Sequence, residues 1–338
     1  GPGGPRHVLR GHSGRVIGMR FFPLGDRLLT WGEGGEAFVW CTSTGEAVLK
    51  LRAGGVEQAG VFPGGDRVFT CTGGEACSVW DAATGERLSM MATGAEFAFT
   101  RVDMSASGRH LLAWGGNSEV EVWSVAGSVK SCFLRSHRLG ISDVAVFPDG
   151  ERVVTGSFDR TARIWKVSGC EALHELPHDG WVSQVAVLSD GALVATMSSS
   201  GLVSVWLVET GELLQAIEAP SRGVQQLVAY PRGDRLAVHG ATTIHIYSAA
   251  SGELLRPLDG HPERIHEVVV SPGGDIVVAC GAGRLTVWDE ETGERLATLS
   301  EVHAGPPPGT GWCTASIGLA GALDSRGFGR GFRWRDVM

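Results

Sequence analysis

Ile141-Ser142-Asp143-Val144-Ala145-Val146-Phe147-Pro148-Asp149-Gly150-Glu151-Arg152-Val153-Val154-Thr155-Gly156-Ser157-Phe158-Asp159-Arg160-Thr161-Ala162-Arg163-Ile164-Trp165 holds three strand signals and two turns in 25 residues. Residues 141–147 alternate and are rich in β-branched side chains, which predicts a strand. Pro148-Asp149-Gly150 predicts a turn, proline presetting φ and glycine admitting positive φ. Residues 152–157 read as a second strand, Phe158-Asp159-Arg160 as a tight turn, and 161–165 as a third strand. Val167-Ser168-Gly169 turns the chain again before a weaker strand over 171–176.

The same phrase recurs along the chain. Trp40, Trp80, Trp123, Trp165, Trp206, Tyr247, Trp288 and Trp334 end eight repeats spaced by 40 to 46 residues. Before the second strand stand Pro23-Leu24-Gly25-Asp26, Pro63-Gly64-Gly65-Asp66, Pro231-Arg232-Gly233-Asp234 and Pro272-Gly273-Gly274-Asp275. After the aromatic come Thr44-Gly45-Glu46, Thr84-Gly85-Glu86, Thr210-Gly211-Glu212, Ser251-Gly252-Glu253 and Thr292-Gly293-Glu294. Two different turns recurring at a fixed phase exclude chance periodicity. A period in the low forties predicts an all-β propeller, each repeat supplying one blade of four antiparallel strands.

Gly11-His12, Ser136-His137, Pro177-His178 and Gly260-His261 precede their tryptophans by 27 or 28 residues, and Trp80-Asp81 and Trp288-Asp289 follow the pattern through. With these motifs the chain resembles the WD40-repeat family over residues 6–338. The resemblance implies a buried hydrogen-bonded chain of His, Thr or Ser, Asp and Trp, which the fourth repeat matches in full at His137, Thr155, Asp159 and Trp165. The other repeats lack the Asp. It also implies ring closure by residues 6–10 completing the last blade, so that no sheet edge is left open. Eight blades follow from this count. A seven-bladed ring with the C-terminal stretch packed outside is the alternative.

Gly1-Pro2-Gly3 reads as a tag scar, with residues 1–5 as linker ahead of a single domain, 6–338, cut from a larger protein. The net charge of −8, from 29 Lys and Arg against 37 Asp and Glu, argues against nucleic acid as the partner. No apolar run approaches the roughly 20 residues of a membrane span. Seven cysteines without a C-x-x-C pair read as reduced thiols of a cytoplasmic protein. No metal, phosphate-loop or nucleophile motif occurs, so neither cofactor nor catalytic residue is expected.

Trp31 and Trp114, outside the repeat register, read as packing between blades. Trp181 differs, standing three residues after His178 where the chain enters a first strand. Equivalent rim positions hold Arg15 and Ile17, Gly140 and Ser142, Trp181 and Ser183, and Arg264 and His266, with Glu33 and Phe158 on the adjoining turn. By analogy with the family, this top face is the expected contact surface for a protein or peptide. The proline run in 304–311 reads as a spacer. The sequence thus favours a non-catalytic interaction scaffold or sensor. The alternative is an eight-bladed enzyme such as a quinoprotein-like dehydrogenase, but those docking motifs place tryptophan after the Thr-Gly turn, and here it comes before.

Overall fold

The computed structural model describes residues 7–300 apart from 74–75, 93–98, 100, 116, 128, 220–225, 272 and 282–283. Among them lie seven sheets, each of four antiparallel strands in chain order. The fourth illustrates the rest: Ile141–Val146, Arg152–Ser157, Thr161–Lys166 and Glu171–Pro177. These are the strands read from its sequence, to within a residue or so at each end. Counted along the chain, the sheets occupy 16–52, 56–92, 101–135, 141–177, 182–218, 226–258 and 267–300. The first two fall in one compact unit and the other five in a second.

Within each unit, consecutive sheets share a core, and the repeat aromatics make it. In the first unit Trp80 and Val68 of the second sheet pack with Leu29, Val39 and Leu51 of the first. In the second unit Trp165 packs with Val122 and Leu134 of the sheet before it, Trp206 with Ile164 and Leu176, and Trp288 with Ile246 and Leu258. Each ring therefore belongs to its own sheet by sequence and to the previous junction by burial, which explains why the spacing is kept. Trp31 is likewise an inter-sheet residue, its indole N–H donating to the Glu57 carbonyl at 3.2 Å.

The first strand of every sheet is a sheet edge, and its outward N–H groups need partners. In the second unit the fifth, sixth and seventh sheets each take one such partner from the sheet before. Asp143 Oδ2 accepts from the Val185 N–H at 3.1 Å, Gln184 Oε1 from Leu227 N–H at 2.6 Å, and Gln226 Oε1 from Val268 N–H at 2.8 Å. One polar residue per first strand thus ties neighbouring edges together.

Two cysteines correct the reduced-thiol expectation. Cys71 and Cys77 face each other across adjacent strands, Cα atoms 4.1 Å apart, and are joined as a disulfide. Cys132 meets Cys170 of the next sheet, Cα atoms 6.3 Å apart. Strand register brings these pairs together, so sequence spacing could not reveal them. Residues 7–10, expected to close the last blade, are exposed and belong to no strand. Their expected partner, the eighth repeat with Trp312 and Trp334, lies outside the described residues, as do residues 1–6 and the proline run.

Candidate functional site: an aromatic groove on the second unit

The fourth sheet assembles the hydrogen-bonded chain first. Trp165 Nε1 donates to Thr155 Oγ1 at 2.9 Å, and the Thr155 hydroxyl lies 2.7 Å from His137 Nε2. His137 Nδ1 lies 2.9 Å from Asp159 Oδ2, which also accepts from the Arg138 N–H at 2.9 Å. With His137 neutral, the proton order runs indole to hydroxyl to imidazole to carboxylate, and every group is satisfied. Burial pulls His137 below its ordinary range despite the carboxylate beside it. Burial would push Asp159 up, but bonds from Thr161, Arg138 and His137 outweigh it and hold this carboxyl down at about 2.

In the first and fifth sheets, which lack the Asp, the shorter Trp–Thr–His chain survives. Trp40, Thr30 and His12 are linked at 2.7 and 2.7 Å, and Trp206, Thr196 and His178 at 2.9 and 2.7 Å. What the fourth sheet adds is a pinned turn. Asp159 Oδ1 accepts from the Thr161 N–H and hydroxyl, while Ser157 Oγ donates to the Gly140 carbonyl and accepts from the Asp159 N–H. Arg160 completes the turn at a left-handed φ of 68°. That turn carries Phe158.

Phe158 stands edge-on to Trp181, ring centroids 5.5 Å apart and planes at 77°. Both are solvent-facing, 43% and 51% exposed, an unusual setting for two adjacent large aromatics. They wall an open groove of about 510 Å³ whose lining includes Arg101, Trp114, Ile141, Ser142 and Ser183. Trp114 and Ile141 are buried members of the core between the third and fourth sheets, so one wall rests on packed structure. Ser142 Oγ donates to the Val182 carbonyl at 2.6 Å and Ser183 Oγ to the Met197 carbonyl at 3.0 Å. With their protons committed, both hydroxyl oxygens can only accept from a ligand. The Arg101 guanidinium, 3.8 Å from Asp143, supplies the positive end.

Of the rim residues expected from sequence, Phe158 and Trp181 come together in this groove. Arg264 and His266 are exposed on either side of buried Ile265, at the approach to the seventh sheet, and are not among the groove's lining. In the first unit Arg15 and Glu33 form an exposed ion pair of 2.6 Å, and Ile17 packs partly buried on the core. Sequence reasoning passed over Arg101 and gave Trp114 a packing role alone. The available signal for Arg101 was its register, since it occupies the first-strand position of Asp143, Gln184 and Gln226. Among the described residues no three His, Cys, Asp or Glu side chains converge as a metal site, and no helix is long and apolar enough to cross a membrane.

Comparison with known proteins bears on the repeats. The family model "WD domain, G-beta repeat" matches residues 127–166 and 252–289. Guanine nucleotide-binding protein subunit beta-5b of Danio rerio is 39% identical over 69 residues, 20% of this chain and 18% of that protein. Guanine nucleotide-binding protein subunit beta-2 of Caenorhabditis elegans is also 39% identical over 69 residues, 20% of this chain and 19% of its own length. The matches therefore span less than a fifth of these relatives.

Proposed function

We propose, for a chain that is built of WD40 repeats, that it is a non-catalytic recognition module which holds a peptide segment of a partner protein in the Phe158–Trp181 groove. The observation that carries this reading is the exposed aromatic pair itself, with Phe158 set on a turn that Asp159 pins from below. Aromatic side chains held rigid before binding lose little entropy on contact, which is why they dominate interface energetics. The groove pairs two apolar walls with acceptor-only serine oxygens and one guanidinium. An extended segment fits that chemistry, with an apolar side chain between the rings and backbone N–H groups toward the serines. The similarity to guanine nucleotide-binding protein β subunits supports an assembly role in general terms.

The test is selection of displayed peptides on the wild-type protein, followed by calorimetry of the best binder. Trp181→Ala and Phe158→Ala are each expected to weaken it at least about tenfold, about 1.4 kcal/mol, without changing thermal unfolding. Arg264→Ala runs in parallel. Loss of binding with Arg264→Ala and not with Trp181→Ala would move the site to the seventh sheet and reject the groove.

A further inference from the structure

The turn between third and fourth strands presses its glycine against the preceding sheet. A Cβ added at Gly85 would meet Leu49, at Gly211 His174, at Gly252 Gln215 and at Gly293 Arg256. The four contacted residues share one register position, lying opposite Val39, Ile164, Val205 and Ile246, each just before a repeat aromatic. The four glycines share a left-handed φ of 72 or 73°. Between the third and fourth sheets both positions are altered. Cys132 lies opposite Val122 at the contacted position. Cys170, five residues after Trp165, stands where the glycine belongs and takes a φ of 51°. A side chain there is disfavoured relative to glycine. The paired changes instead set two sulfurs at one point of contact, with Cα atoms 6.3 Å apart, within disulfide reach.

We propose that Cys132 and Cys170 form a reversible thiol–disulfide exchange site, a covalent clasp between the third and fourth sheets whose reactant is a small disulfide of the glutathione type. One cysteine thiolate attacks a sulfur of the small disulfide, breaking its S–S bond, forming a mixed disulfide and expelling one small thiolate. The second cysteine thiolate then attacks the protein sulfur of that mixed disulfide and expels the other. The two protein thiols lose two electrons and two protons in total, and the small disulfide leaves as two thiols. Both cysteines are half-buried, so a small reactant can reach them, whereas Cys71 and Cys77 are 1% and 0% exposed and serve as an internal contrast. The clasp joins the two sheets that supply Arg101, Trp114, Ile141 and Phe158, yet it does not depend on what the groove binds.

The full chain is equilibrated in mixtures of reduced and oxidised glutathione, trapped with an alkylating agent, and mapped by peptide mass spectrometry. The Cys132–Cys170 pair is expected to convert between thiol and disulfide across these mixtures while the folded circular dichroism spectrum persists. Reduction should lower the unfolding midpoint by about 2 to 5 °C. The double variant Cys132→Ser, Cys170→Gly restores the turn glycine and should lose that part of the reductant-dependent drop. Cysteines that stay alkylatable in every mixture, or a bond reduced only after denaturation, would overturn the proposal. So would an undiminished drop in the double variant.

Discussion

Two carboxylates of the fourth sheet titrate in opposite senses, and each has a readable cause. Asp159 is held down at about 2 in the folded chain, below the value near 4 of an unfolded one. Its contribution is therefore intact above about pH 4 and lost as pH falls toward 2. Asp159→Ala also strands the His137 Nδ1–H and the Arg138 N–H, and should cost about 2 to 3 kcal/mol at pH 7 in urea unfolding, shrinking at pH 3. Asp143 is pushed up to about 6, chiefly by burial, against the Val185 N–H and the Arg101 charge, with the Asp103 charge adding to the rise. Folding here favours the protonated form, so its contribution is complete below about pH 4 and lost as pH rises through 6. Asp143→Asn keeps an acceptor for Val185. It should raise the unfolding midpoint at pH 7.5 relative to wild type, by a modest amount because 22% of the Asp143 side chain remains exposed, and give no gain at pH 4. A gain that grew on acidification would reject the assignment. The His137–Thr155–Asp159–Trp165 set was legible through the WD40 resemblance, whose motif the fourth repeat matches within one sheet. Arg101 was not, because its partner Asp143 belongs to the next sheet, 42 residues on.

At the scale of strands and sheets, the repeat aromatic and the first-strand acceptor do different work. Trp165 is 1% exposed within the core of the third and fourth sheets, so Trp165→Ala should cost about 3 to 5 kcal/mol in chemical denaturation. The acceptor side chains complete the edges. Gln226→Ala should cost about 1 kcal/mol and speed hydrogen exchange most at the Val268 amide, its direct partner. Uniform acceleration throughout the sixth and seventh sheets would show instead that the glutamine acts through general packing. The strands and turns of the fourth repeat were readable because alternation and turn chemistry are local. The ladder of Asp143, Gln184 and Gln226 escaped notice, since a polar residue in an apolar strand gains meaning only beside the strand it serves.

Across the whole molecule, the acidic excess sets a further expectation. With a net charge of −8, the chain should not retard duplex DNA at 50 mM salt, and retention there would demand a basic patch that composition does not suggest. The sequence alone determined the repeat, its phase and the four-stranded meander, and through the WD40 resemblance the residues of the buried hydrogen-bonded chain. All of these rest on interactions within about forty residues or on turn chemistry that any unfolded chain already carries. Tertiary structure decided which sheet each tryptophan packs against and which Arg answers Asp143. It also placed Phe158 edge-on to Trp181 and set Cys170 beside Cys132. Those pairings join neighbouring repeats, and the order of residues within a repeat does not encode how two sheets meet. Side-chain packing at the junction settles that, and the groove and the clasp both depend on it.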